Sequence, residues 1–234
     1  MQNLFEDFFP REVKICFSPK HVDFTLPQNN LPLTRDQESY LSSQIDFSNQ
    51  QVINIRQVHG AHILCMDEGY AKGSHEIREA DGLITCRQGI ALCIRTADCL
   101  PIFICDPVKK CIGLVHAGWR SSQKAIVAKA IEAMSQNWGC NLKDLLIAFG
   151  PGIRSCCYQV GEEFGDVFQD EIEKKEEGLF LDLALVNKHQ MIDRGIEGNN
   201  IFDCELCTCC DDQFFSYRRQ GADAGRHLSL MMLL

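Results

Sequence analysis

Three short segments of this chain place polar, metal-capable side chains directly after apolar runs. They are Gln57-Val58-His59-Gly60, Thr96-Ala97-Asp98-Cys99 and Val115-His116-Ala117-Gly118-Trp119-Arg120. His59, Cys99 and His116 together offer two imidazoles and one thiolate. That donor set suits a zinc ion with three protein ligands and one open position, the composition of a catalytic rather than a closed site. Glycines at 60 and 118 permit a close backbone approach or a positive φ beside these groups. The separations of 40 and 17 residues match no local zinc motif. A histidine at a strand end is also at home as a hydrogen-bonded structural residue. Residue types alone leave both readings open. For an anion, the candidates are Arg120, Arg154, Arg218 and Arg219, because a guanidinium holds phosphate through two parallel hydrogen bonds. Arg120 is the strongest of them, four residues from His116. Asp81 or Asp98 could orient a ligand histidine from behind, or simply cap a turn.

The segments around these residues read as the elements that must position them. Val52 to Val58 alternates around β-branched residues and predicts a strand ending at His59-Gly60. Gly82 to Cys86, Ile90 to Arg95, Pro101 to Cys105 and Ile112 to Val115 are short apolar runs of strand length, as expected for strands buried on both faces. Trp119 to Trp138 predicts one helix, with Ile126, Ala130, Ala133 and Met134 on one stripe, Ser121 or Ser122 as its cap and Gly139 as its end. Strands are also expected at Glu12–Phe17, Leu145–Phe149, Ile201–Cys204 and His227–Leu233. Helices are expected at Thr34–Ile45, Glu162–Gln169 and Leu183–Arg194, and a turn-rich loop at Pro27–Pro32. No linker, internal repeat or low-complexity tract interrupts the pattern. The expectation is one mixed α/β domain over residues 1–234.

Composition narrows the partners. Of 234 residues, 45% are hydrophobic and 24% charged, ordinary values for a globular chain that buries its core without staples. The net charge of -9 disfavours nucleic acid or an anionic membrane as main partner. No run approaches the roughly 18 apolar residues of a membrane span. The start, MQNLFEDFFPREVKICF, carries Glu6 and Asp7 in its apolar stretch and lacks a basic leader region, so a cytoplasmic location is expected. In that reducing setting the 14 cysteines read mostly as free thiols, with Cys86, Cys93, Cys105 and Cys111 packing as small hydrophobes. Cys204 and Cys207 have C-x₂-C spacing beside Cys209 and Cys210, but a second, separate pair that shares no cysteine with the first is absent, so a structural zinc is not expected there. Cys156-Cys157 reads as buried thiol.

A set of short motifs carries a resemblance: QVHG at 57–60, ADGLIT at 80–85, TADCLPI at 96–102, HAGWR at 116–120, GPGIRSCCYQVGEE at 150–163, LDL at 181–183, FFSYRR at 214–219 and GR at 225–226. In this order they resemble the laccase-domain, or YfiH-like, family, also described as multicopper polyphenol oxidases and as purine nucleoside phosphorylases. The resemblance implies an α/β (mixed α+β) fold with central mixed β-sheets flanked by helices, similar to the cytotoxic necrotizing factor/YfiH-like fold. It maps the family's zinc ligands onto His59, Cys99 and His116. It further implies phosphorolysis of purine nucleosides (the adenosine, inosine, guanosine and methylthioadenosine class) with added adenosine deaminase activity. The expected cofactor is Zn2+, with Cu2+ as a competing ion. Residues expected to touch substrate are Arg120, Asp98, Gln57 and Arg218, whereas Arg95 has no regular counterpart in the family. Ser121 departs from the family pattern, which usually has glycine there. Two other functions stay in view: a copper phenol oxidase, for which the histidines are few (7), and a cysteine hydrolase using Cys99 and His116.

Overall fold

The computed structural model describes residues 4–5, 8–25, 34–45, 51–67 and 78–234. The expected loop at Pro27–Pro32 lies outside them. In chain order the elements are β1 (Val13–Phe17), α1 (Arg35–Gln44), β2 (Gln51–Ile53), β3 (Ile63–Cys65), β4 (Gly82–Thr85), β5 (Ile90–Thr96), β6 (Leu100–Asp106), β7 (Cys111–Ala117), α2 (Trp119–Gln123), α3 (Ile126–Trp138), β8 (Leu146–Phe149), β9 (Gln159–Val160), β10 (Ile172–Lys175), β11 (Gly178–Leu181), α4 (Leu183–Ile192), β12 (Ile201–Asp203), α5 (Tyr217–Gln220) and β13 (His227–Leu233).

The strands form two large mixed sheets and a small one. The first has the order β1-β13-β5-β2, the second β12-β8-β6-β7-β4-β3, and the third β10-β11-β9. The large sheets face each other across an apolar layer in which Ile53, Leu92, Ile94 and Met231 meet Leu83, Phe103, Ile112 and Leu114. The far face of the six-stranded sheet is covered by α3, through Ile126, Ala130 and Met134, and by Ala184 and Met191 of α4. Leu41 of α1 and Phe24 cover the far face of the four-stranded sheet. Strands β5, β6 and β7 are therefore buried on both faces, which explains their unbroken apolar runs. Among the described residues no helix is long and apolar enough to cross a membrane.

Three expectations are corrected. The strand predicted at Val52–Val58 stops at Ile53, because the Gln57 side chain takes over the ladder. Its amide donates to the Arg95 carbonyl at 2.7 Å and accepts from the Arg95 N–H at 2.8 Å, so the backbone peels away toward His59. The helix predicted over Trp119–Trp138 breaks between Gln123 and Ile126, where Ala125 adopts the left-handed conformation (φ 54°). Neither serine caps it: the first segment starts after Gly118, and Ser121 and Ser122 are buried. The Ser122 carbonyl accepts from the Ala125 N–H and the Gln190 amide, and its hydroxyl accepts from Asn187, so contacts with α4 override local helix propensity. The helix expected at Glu162–Gln169 is instead two single 3₁₀ turns. Phe164 and Phe168 stack there, and Phe164 packs on Trp119 at 4.9 Å.

Candidate metal centre

Strand β2 runs parallel to β5, so both leave the four-stranded sheet at the same end. Each then crosses to the six-stranded sheet, β2 toward β3 and β5 directly into β6. His59 lies in the first crossing and Cys99 closes the second. His116 is the penultimate residue of β7, opposite Pro101 in the β6 register. The two crossings and one strand end thus converge, and donor atoms of His59, Cys99 and His116 lie within 4.8 Å of one another. The two imidazoles meet edge to face with centroids 4.8 Å apart.

Asp81, fully buried just before β4, organises this convergence. Its carboxylate accepts from the backbone N–H groups of Val58 (3.2 Å), His59 (2.9 Å) and Gly60 (2.6 Å), and from His116 Nδ1 at 2.8 Å. Burial pushes the Asp81 carboxyl up, but the His116 bond and charge and the backbone donors outweigh it and hold the group below its ordinary value. With Nδ1 engaged, His116 turns Nε2 toward the centre, the arrangement that fixes a ligand histidine's tautomer and direction. Asp81, left open between two roles by the sequence, is the orienting carboxylate.

Two residues here hold a backbone shape that only glycine adopts freely: His59 (φ 55°) and Asp98 (φ 88°). Such conformations cost about 1–3 kcal/mol each and persist only when their surroundings over-determine them. Asp81 supplies that constraint at His59. At Asp98 it comes from the Thr208 hydroxyl (2.7 Å) and the Arg218 N–H (2.6 Å), both donating to the carboxylate, and from the Ile153 N–H donating to the carbonyl. Gly118 is dictated sterically, since a Cβ there would lie 2.9 Å from the Cys99 sulfur and 3.2 Å from the His59 ring.

Electrostatically the centre is a thiolate facing an imidazolium. Burial alone would raise the Cys99 thiol, but the charge and hydrogen bond of His116, with help from His59, bring it down to about 6. Burial alone would lower His116, but Cys99 and Asp81 lift it to about 9. The donor chemistry fits zinc: one thiolate, two imidazoles, a carboxylate behind one of them and an open side toward solvent.

That open side is a cavity of about 880 Å³. Arg56, Arg95, Arg120, Arg218 and Arg226 line it, and Asp98 is the one carboxylate among the described lining residues. In a chain of net charge -9 the guanidinium groups are concentrated here. Trp119, Tyr158 and Tyr217 add aromatic surface. The Arg120 guanidinium stacks on Trp119 at 4.2 Å, and that of Arg218 lies 5.4 Å from the Tyr158 ring while donating to the Gln159 carbonyl. Gln57 also lines the cavity, but its amide is occupied by Arg95, and both Asp98 oxygens are occupied by protein donors. Two of the anion candidates serve the fold instead. Arg154 makes a two-point pair with Asp203 (2.8 and 2.7 Å), and Arg219 donates to the carbonyls of Thr208, Cys209, Asp211 and Phe214. Conversely, Arg95 belongs to the cavity wall, bonded to Asn54 through one nitrogen, with its Nε lacking a partner among the described residues. The signal for it is a charge embedded in the otherwise apolar run of β5.

With this geometry in view, the comparisons with known proteins are specific. The model of the family described as multi-copper polyphenol oxidoreductase laccase matches residues 33–234. The chain belongs to this family. It is 31% identical over 214 residues to a protein of Bacteroides thetaiotaomicron named purine nucleoside phosphorylase, covering 85% of this chain and 79% of that one. It is 28% identical to adenosine deaminase RL5 of an unknown prokaryotic organism, covering 80% of this chain and 76% of the relative. The crystal structure of YlmD from Geobacillus stearothermophilus superposes with a TM-score of 0.82 at 26% identity, covering 95% and 92% of the two chains. The mixed-sheet, helix-flanked fold that the motifs imply is the fold of this family.

Proposed function

We propose that this protein is a zinc-dependent purine nucleoside phosphorylase that also deaminates adenosine at the same centre. The observation that carries the reading is a single cavity that joins His59, Cys99 and His116 to a wall of arginines and aromatic rings. The names of the relatives supply the substrate class. His59, Cys99 and His116 would hold the ion. When bound, zinc supplies Lewis-acid chemistry, offsetting negative charge that develops on a departing base or on an attacking oxygen.

The chain's own residues provide the rest. In phosphorolysis a phosphate oxygen bonds to the ribose C1′ while the C1′–N9 bond breaks and its electron pair leaves with the base. Arg120, with Arg95 and Arg218 nearby, holds the phosphate by charge-assisted hydrogen bonds. Tyr158, Trp119 and Tyr217 offer faces on which a purine stacks. Asp98 positions rather than binds, since it ties the Thr208–Arg218 loop to the turn that carries Cys99. Asp81 keeps His116 aimed at the centre.

A second reading has one observation in its favour. Cys99 and His116, with their donor atoms within 4.8 Å, form the juxtaposition that a cysteine hydrolase uses. Zinc separates the two readings, because it activates the first and blocks the nucleophile of the second.

The test uses protein purified without chelator and assayed by chromatography on adenosine. With phosphate the products are adenine and ribose-1-phosphate; without it, inosine. His59→Ala and His116→Ala should each lose both reactions by about 10³-fold, the equivalent of roughly 4 kcal/mol. Arg120→Lys keeps the charge but loses the planar fork, so phosphorolysis should fall about 10- to 150-fold while deamination is spared. A His116 variant that deaminates but no longer phosphorolyses refutes the shared centre.

A further inference from the structure

The cysteines do not divide as their sequence neighbourhoods suggest. Cys156 and Cys157 are not buried thiols: the first is exposed and the second half-buried. Nor do Cys204 and Cys209 join a knuckle with Cys207 and Cys210. Instead Cys156, Cys157, Cys207 and Cys210 form one group whose sulfurs all lie within 4.8 Å of one another. The Cys210 sulfur is 3.2 Å from that of Cys156 and 3.2 Å from that of Cys157.

The backbone brings these four together from positions some fifty residues apart. Gly152 and Cys207 form a parallel bridge, with the Gly152 N–H donating to the Leu206 carbonyl and the Thr208 N–H to the Gly152 carbonyl. That bridge fixes the start of both cysteine-bearing loops. Cys207 and Cys210 then curl back in C-x₂-C spacing, the interval that lets one turn present two sulfurs to one ion. Backbone N–H groups of Cys209, Cys210 and Arg154 point at the Cys207 sulfur, donors that suit a thiolate. Below the group lies the apolar floor of Ile153, Phe168, Leu181 and Val186, and Cys156 and Cys210 open it to solvent.

We propose that Cys156, Cys157, Cys207 and Cys210 bind a second zinc ion as a closed tetrathiolate site. Zinc–sulfur bonds of about 2.3 Å set the edges of a tetrahedron of sulfurs at roughly 3.8 Å, and four sulfurs already within 4.8 Å of one another, two pairs of them at 3.2 Å, need only small shifts to reach it. Tetrahedral S₄ surroundings favour zinc over ions that prefer oxygen. Binding releases the thiol protons to solvent. The ion takes no part in the reaction. It staples the loop carrying Ile153 and Tyr158 to the loop carrying Thr208 and Arg218, and so fixes two walls of the cavity. This inference does not depend on the activity proposed above.

Metal analysis of reduced protein purified without chelator tests it. The unmodified chain should hold two zinc ions, His116→Ala one, Cys157→Ser/Cys210→Ser one, and the combination none. Cobalt loaded into His116→Ala should give the intense sulfur-to-cobalt charge-transfer and visible bands of a tetrahedral tetrathiolate, and adding Cys157→Ser/Cys210→Ser should abolish them. Because that double variant could fold poorly, the exposed Cys156→Ser provides a milder probe, expected to weaken and blue-shift the bands in folded protein. Absence of metal and of cobalt bands in folded His116→Ala overturns the proposal. So does mapping of a disulfide from Cys210 to Cys156 or Cys157 in the protein as isolated from cells.

Discussion

The two clusters of metal-capable side chains differ in almost every physical respect. His59, Cys99 and His116 stand at strand ends between two buried sheets, in front of a wide cavity, with a buried carboxylate behind one ligand. Cys156, Cys157, Cys207 and Cys210 stand on two surface loops above an apolar floor. The first offers three mixed donors and an unfilled side; the second offers four sulfurs and none. Three donors plus space is the arrangement that admits a reactant, and four thiolates is the arrangement that excludes one. Left-handed backbone stands beside both: His59 and Asp98 at the first are held by hydrogen bonds from several directions, and Glu205 (φ 56°) precedes Cys207 by two residues at the second. One chain thus carries a centre shaped for exchange and another shaped for retention.

The largest separation between them should come from Asp81→Asn. The variant removes the charge that faces His116 and weakens the acceptor for three backbone N–H groups. Breaking a buried charged pair in this way costs about 3–5 kcal/mol of stability, and losing a carboxylate behind a ligand histidine costs about 10–100-fold in metal affinity. Competition with a zinc chelator should show the loss at one site only. Equal weakening of the four-cysteine site would mean that Asp81 supports the fold at large and that the two centres are not independent.

How far the sequence foretold this contrast depends on which interactions are local. β13 falls on its predicted residues, and β5, β6 and β7 start or end within two, because strands buried on both faces write their boundaries as hydrophobic runs. The small sheet of β9, β10 and β11 is missed, since three of the four residues of Ile172–Lys175 are charged and the strand pairs with a neighbour of its own size. His59, Cys99 and His116 stand out by residue type and by motif. The arginine wall does not, because Arg56, Arg95 and Arg226 come from separate segments that only the sheet crossings unite. The four-cysteine group is hidden for the same reason: its halves meet through a single parallel bridge between Gly152 and Cys207.

A pH change should loosen the second region before the first. His227 is buried and neutral, with Nδ1 donating to the Ser18 carbonyl at 2.8 Å and Nε2 accepting from the Phe215 N–H at 2.7 Å. It thereby anchors the far end of the loop that bears Cys207 and Cys210. Burial, with Lys20 adding to it, lowers His227 to about 4 against the Ser18 bond and Asp23. Its folded value lies below its unfolded one, so the unfolded chain binds the proton first. Its contribution is complete above about pH 6.5, declines as pH falls toward 4, and totals about 3 kcal/mol. Urea unfolding from pH 7 to 4 should show that loss in the native chain and less of it in His227→Gln, whose amide can donate and accept without titrating. Identical pH slopes in the two proteins would remove His227 from this role.

The smallest expected effect lies away from both clusters, at the break between α2 and α3. Ala125 occupies the left-handed region at φ 54° and ψ 48°, which costs a residue with a Cβ about 1–2 kcal/mol. Glycine adopts that conformation without strain but loses more backbone entropy on folding. The relief outweighs the entropy, so Ala125→Gly should stabilise the protein by about 0.5–1 kcal/mol, a rise of roughly 1–4 °C in Tm for a chain of this size. The break itself is held by Ser122, Asn187 and Gln190, none of which changes. Trp119 and Arg120 should therefore keep their places at the cavity, and metal content and kcat/KM should be unaltered. A lower Tm would show that the methyl group of this half-buried residue contributes more by packing than its backbone costs. A changed kcat/KM with unchanged Tm would instead show that the break is a hinge, whose stiffness sets where Arg120 stands.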